Sequence, residues 1–118
     1  MLASMPFSFA QSDGIKRTVA GRGDVSVVGR EALIVRVEIE KDALIVRHSH
    51  HGDEIGYLLD GEIVMSIDGA QSRRLKSGEA FIVPSGKMHE ARNVGNGTAV
   101  VIVTYVVEKG KALAVPAR

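Results

Sequence analysis

From Ile15 onward the chain is written almost entirely in a two-residue period, and that constrains its fold more than any other feature. In ALIVRVEIE, residues 32–40, Leu33, Val35, Val37 and Ile39 alternate with Arg36, Glu38 and Glu40. Successive strand side chains point to opposite faces, so this pattern describes a half-buried strand. Residues 43–50, 54–60, 62–68, 72–76, 80–84, 88–94 and 98–107 read as further strands. Turn signals separate them: Lys41-Asp42, Asp60-Gly61, Asp68-Gly69, Ser77-Gly78, Ser85-Gly86 and the run Asn93 to Gly97. No stretch of ten or more residues carries a helical apolar period. Many short strands at regular spacing predict an all-β sandwich or barrel. The ten-residue run TAVVIVTYVV is too apolar for an exposed edge and belongs mid-sheet or at a subunit interface.

The length of 118 residues suits one domain with a real core, and 45% hydrophobic with 25% charged residues is ordinary globular composition. A formal net charge of +1 without a clustered basic face gives no nucleic-acid footprint. Arg73, Arg74 and Lys76 read as the exposed side of a strand, and no apolar run approaches the ~20 residues of a membrane span. There is no cysteine, which excludes disulfides and thiolate metal sites. Residues 1–14 stand apart from the barrel domain expected over 15–118. Two readings are open for them: an N-terminal arm, or the tail of a signal peptide ending near Ser8-Phe9-Ala10. The first places the protein in the cytoplasm, the second in the periplasm or outside the cell. Arg22-Gly23-Asp24 reads as a surface turn.

Three of the four histidines fall in HSHHGDE, residues 48–54. By strand parity His48 and His50 share a face, and Leu44 and Val46 are expected on it too, which makes that face interior and apolar. His51-Gly52-Asp53 reads as a turn, after which Glu54 can fold back beside the imidazoles. Two imidazoles and a carboxylate in an apolar interior are costly unless they bind something, and a divalent cation is the simplest partner. His89, in GEAFIVPSGKMHEARN, sits on a returning strand and can supply a further ligand. His51 faces away from His50 and is expected at the solvent rim. Asn93 is expected to bond turn backbone groups. Tyr57 and Tyr105 are expected to serve in packing.

HSHHGDEIGYLLDG and GEAFIVPSGKMHEARN resemble, at every defining position, the two motifs of the cupin superfamily. Those positions are His48, His50, Glu54 and Gly61, then Gly78, Pro84, Gly86, His89 and Asn93. The resemblance implies a single double-stranded β-helix, a jelly-roll barrel. It implies one divalent transition metal held by His48, His50, Glu54 and His89. Three imidazoles and one carboxylate suit Fe, Mn, Ni, Cu or Zn, and leave one or two coordination positions open. With one carboxylate the site carries about +1, which favours an anionic or enolisable small molecule. The chain looks most like the small quercetin-dioxygenase-like cupins. That implies a mononuclear metalloenzyme of dioxygenase, isomerase or lyase type, with Glu54 as ligand and candidate base. Leu44, Val46, Gly56, Leu58 and Phe81 would shape its pocket, and Gly56 would enlarge it or mark a bulge. The other class of function is a module that binds or senses a small molecule or the metal without turnover. A homodimer is expected in either case; a nucleic-acid or membrane partner is not.

Overall fold

The computed structural model describes residues 13–117, so the arm reading of residues 1–14 falls mostly outside the described residues. Ten strands follow one another: β1 (Ile15–Asp24), β2 (Arg30–Ile39), β3 (Leu44–Ser49), β4 (Gly52–Asp60), β5 (Glu62–Ile67), β6 (Arg73–Lys76), β7 (Ala80–Val83), β8 (His89–Asn93), β9 (Ala99–Glu108) and β10 (Val115–Pro116). They form two five-stranded sheets, ordered β1-β2-β9-β4-β7 and β10-β3-β8-β5-β6. Every pairing is antiparallel. The chain passes back and forth between the sheets, so neighbours in a sheet are mostly distant in sequence. This is the all-β architecture that the two-residue period predicts, and the jelly roll that the motif resemblance implies. Among the described residues no helix is long and apolar enough to cross a membrane.

The alternation in the sequence becomes the inside and outside of the barrel. Leu33, Val35, Val37 and Ile39 are all buried, with Val101, Val103, Tyr105 and Val107 of β9 on the same interior face. β9 lies at the centre of its sheet, between β2 and β4, where its apolar run needs neighbours on both sides. Burial of each such side chain contributes about 1.5–3 kcal/mol, which is why the pattern dictates the face.

Three local details differ from the sequence reading. Arg22-Gly23-Asp24 is not a turn but the end of β1, where Arg22 pairs with Glu31 at 2.6 Å and Asp24 with Lys109 at 2.6 Å. Gly52 and Asp53 belong to β4, leaving only His50 and His51 between the strands. A Cβ on Gly52 would lie 1.9 Å from the Val106 carbonyl oxygen, so glycine is what lets β4 start that close to β9. The third is a bulge in β3. Ile45 pairs with Ala91 and His48 with His89, so two β3 residues, Val46 and Arg47, stand opposite the single Glu90.

Asn93 closes the far end of the site hairpin. Its Nδ2 donates to the Ile39 and Gly97 carbonyls, both at 2.8 Å, and its Oδ1 accepts from Gly95 N–H at 2.9 Å. The residue is 1% exposed, so water cannot replace these partners. Asn93→Ala should therefore cost about 2–4 kcal/mol, the sum of orphaned buried groups, read as a lower urea midpoint at unchanged m-value.

Candidate metal centre

His48 is the penultimate residue of β3, His50 follows the strand, Glu54 lies on β4 and His89 opens β8. All four side chains are buried, and one potential ligand atom from each lies within 4.8 Å of every other. The imidazole centroids of His48 lie 4.7 Å from His50 and 4.2 Å from His89.

Backbone carbonyls decide how the rings face. His48 Nδ1 bonds the Val46 carbonyl at 2.6 Å, His50 Nδ1 that of Leu113 at 2.7 Å, and His89 Nδ1 that of Lys87 at 3.0 Å. A carbonyl only accepts, so each Nδ1 carries a proton, and each ring, when neutral, turns an Nε2 lone pair toward the cluster. Carbonyl acceptors on the far ring nitrogen commonly orient metal-binding histidines. The Nε2 atoms of His50 and His89 are buried without a hydrogen-bond partner. They lie 3.0 and 3.5 Å from Glu54 Oε1, ion-pair distances that bring lone pairs against a carboxylate unless a cation intervenes. The donor set thus fits a divalent ion, and the four residues could hold one.

The electrostatics follow from burial and from Glu54. Burial, then the neighbouring His89, pushes the His48 pKa from 6.5 down to about 4. Burial works to raise Glu54, but the adjoining His50 and His89 imidazoles outweigh it and hold the carboxyl at about 2. Burial opposes a charge on His89, yet Glu54 overrides it and raises the pKa. Tyr105, whose ring centroid lies 4.7 Å from that of His50, is raised well above 10 by burial and then by Glu54, so its phenol stays a proton donor.

The cavity beside the cluster measures about 30 Å³, room for a water or two. His48, Glu54, His89, Phe81, Tyr105 and Arg17 line it, among aliphatic side chains from both sheets. Of the pocket residues expected from sequence, Phe81 is in the wall and the rest are not. The extra residue in the β3 bulge inverts parity, so Ile45, not Leu44 or Val46, shares the interior with His48. Val46 is 45% exposed and Leu44 faces an outer depression beside Val64 and Arg92. Val46 contributes its carbonyl to His48 instead. Gly56 does not enlarge the pocket: a Cβ there would meet the Phe81 ring at 2.1 Å, so the ring fills the space that glycine leaves. Leu58 is wholly buried in the core and outside the cavity wall. His51 sits at the rim, 4.0 Å from Glu108, and Tyr57 is 46% exposed on the outer face.

Sequence reasoning missed Arg17 and Leu113, and undervalued Tyr105. Arg17 could have been found, since it shares strand parity with Ile15 and Val19 and is therefore a charge on an apolar stripe. Nothing in the sequence marks the Leu113 carbonyl.

The geometry and the sequence agree with known proteins. Residues 35–105, more than half of the chain, match the cupin domain family. The chain belongs to that family. It is 30% identical over 95 residues to germin-like protein 3-3 of Oryza sativa subsp. japonica, covering 74% of this chain and 41% of that protein. It is 38% identical over 59 residues to the HTH-type transcriptional regulator PuuR of Escherichia coli (strain K12), covering 50% and 31%. Over 66 residues it is 35% identical to oxalate oxidase 1 of Hordeum vulgare, covering 49% and 33%. The chain thus spans well under half the length of these relatives. A double-stranded β-helix protein from Klebsiella pneumoniae superposes with a TM-score of 0.71 at 19% identity, covering 95% of this chain and 87% of that one.

Two predictions follow from the packing and the charges. Gly56→Ala should destabilise by about 1–3 kcal/mol through overpacking against Phe81, and Phe81→Leu in the same chain should recover part of the loss in urea melts. Below its raised pKa, His89 in the metal-free site holds a second proton beside Glu54, and a divalent ion must displace it. Uptake of Zn(II) in weakly buffered solution should therefore release protons, more as the pH falls below the raised pKa of His89, with metal affinity rising as pH rises. Uptake without proton release would contradict this charge assignment.

Proposed function

We propose that this cupin is a mononuclear metalloenzyme, of dioxygenase-like or isomerase/lyase type, acting on a small anionic or enolisable substrate. The observation that carries the reading is the convergence of carbonyl-oriented imidazoles on one ionised carboxylate inside an apolar barrel. His48, His50, Glu54 and His89 would hold the ion, one of Fe, Mn, Ni, Cu or Zn. Bound there, the ion supplies Lewis acidity and a template for substrate oxygens. Glu54 contributes the negative charge that retains the ion. Held at about 2, its carboxylate is a weak base near neutrality, which supports the ligand role over the base role. Tyr105 offers a proton-donating phenol at the cavity wall, and Phe81 with the aliphatic residues makes the rest of the wall apolar. The similarity to oxalate oxidase supports an oxidase branch of this reading.

A second reading, a module that binds a small molecule or the metal without turnover, is favoured by the small cavity and by the similarity to a transcriptional regulator. Turnover of O₂-dependent or isomerase substrates by metal-loaded protein separates the two.

The homodimer also stands as a proposal. On the outer face of the β1-β2-β9-β4-β7 sheet, Ile34, Thr104, Ile55 and Ile82 lie in one cross-strand row, with Ile102 and Tyr57 in the next. Ile82 is 65% exposed, and a second copy of this flat apolar face would cover it.

Elemental analysis of untagged protein by inductively coupled plasma mass spectrometry should find near one equivalent of transition metal. His48→Ala should lose it, at least tenfold in affinity. Metal absent from the wild-type protein and not taken up on incubation would overturn the metalloenzyme reading. Light scattering should give a dimer mass that Ile82→Glu reduces to the monomer.

A further inference from the structure

Among the described residues of the cavity wall, Arg17 is the one permanent cation. Arg17 lies on β1, the edge strand of its sheet, directly opposite Val37 in the antiparallel register. Val37 is 2% exposed and points inward, and residues directly opposite on paired strands share a face, so the Arg17 side chain is directed to the interior. It lines the same cavity as His48, Glu54, His89 and Tyr105, beside Val37, Val101 and Met65. The guanidinium is half-buried; burial lowers its pKa, while Tyr105 and Glu54 act to raise it. Arginine stays charged under these conditions.

We propose that Arg17 is a specificity-determining residue that clamps a carboxylate of the ligand, so that the barrel selects small carboxylates with a second oxygen donor over neutral enolisable molecules. The inference rests on the cluster being a metal site, as proposed above. Three arguments support it. A planar guanidinium presents paired N–H donors that match a carboxylate, and a partly desolvated one gains more from that pairing than an exposed one. The other side chains of the wall outside the His/Glu cluster are apolar apart from the Tyr105 phenol, so among them Arg17 alone offers a charged, two-pronged donor to a ligand carboxylate. With an ion in place, three neutral imidazoles, one carboxylate and Arg17 sum to about +2, a charge that one ligand carrying two anionic oxygens neutralises. An inward charge on an edge strand also discourages edge-to-edge pairing, but that role makes no demand that the charge reach the His/Glu cavity.

The test loads wild type, Arg17→Met and Arg17→Lys with Co(II) and measures metal content before any ligand is added. Binding is then followed through the visible Co(II) spectrum with two probes. Oxalate carries the carboxylates, and 2,4-pentanedione is enolisable but has none. Wild type should bind oxalate more tightly than the diketone. Arg17→Met should keep its Co(II) and lose about 10- to 100-fold in oxalate affinity, with diketone binding far less affected. Arg17→Lys, which keeps the charge without the fork, should fall between. Oxalate affinity unchanged in both variants would overturn the proposal, as would a wild-type preference for the diketone. If Arg17→Met fails to fold, the lysine variant and the wild-type preference decide alone. Failure of wild type to take up Co(II) would overturn the metal reading itself, and is seen before either probe is added.

Discussion

Three backbone carbonyls, those of Val46, Lys87 and Leu113, each accept the Nδ1 proton of one imidazole, and the site depends on that arrangement. Without those acceptors each ring could rotate or change tautomer, and Nε2 would not be committed to the interior. With them, the lone pairs are directed at one another and at Glu54, an arrangement that repels until a positive charge enters. Below the raised pKa of His89 a proton there can play that part, and a divalent ion plays it better because it can satisfy every donor together. The raised His89, the lowered His48 and the low Glu54 are consequences of one crowded buried charge, not separate features.

The barrel makes the crowding affordable by placing each ligand on a different structural element. β3 and β8 pair so that His48 stands opposite His89, while Glu54 approaches from the other sheet, where it pairs with Tyr105 and Val83. The β3 bulge has two effects at this point. It turns Ile45 inward to line the cavity, and it frees the Val46 carbonyl to hold His48. Asn93 fixes the other end of β8 through three hydrogen bonds, so the strand carrying His89 is restrained beyond the site as well as within it.

Much of the fold and the ligand set was legible in the chain. The alternation of Leu33, Val35, Val37 and Ile39 identified a buried face because strand parity is a local property. The outward side of His51 followed from parity too, and the role of Asn93 from the tendency of asparagine to bond turn backbone groups. The pocket wall was harder to read. Leu44 and Val46 were expected inside by the same parity, and one inserted residue reversed it. A bulge of this kind carries no glycine or proline to announce it in IVRH. Gly56 offered a choice between an enlarged pocket and a bulge, and neither describes it, because the occupant of its space, Phe81, comes from another strand.

What the sequence by itself determined is therefore what depends on neighbours along the chain: the strands, their faces, the turns, and the two motifs carrying the histidines and Glu54. Only the tertiary structure decided which carbonyls orient the rings, that Phe81 fills the space above Gly56, and that Arg17 enters the cavity from β1. Each of those depends on a distance between strands far apart in sequence. A two-residue period specifies which face a side chain takes, but not what it meets across the barrel.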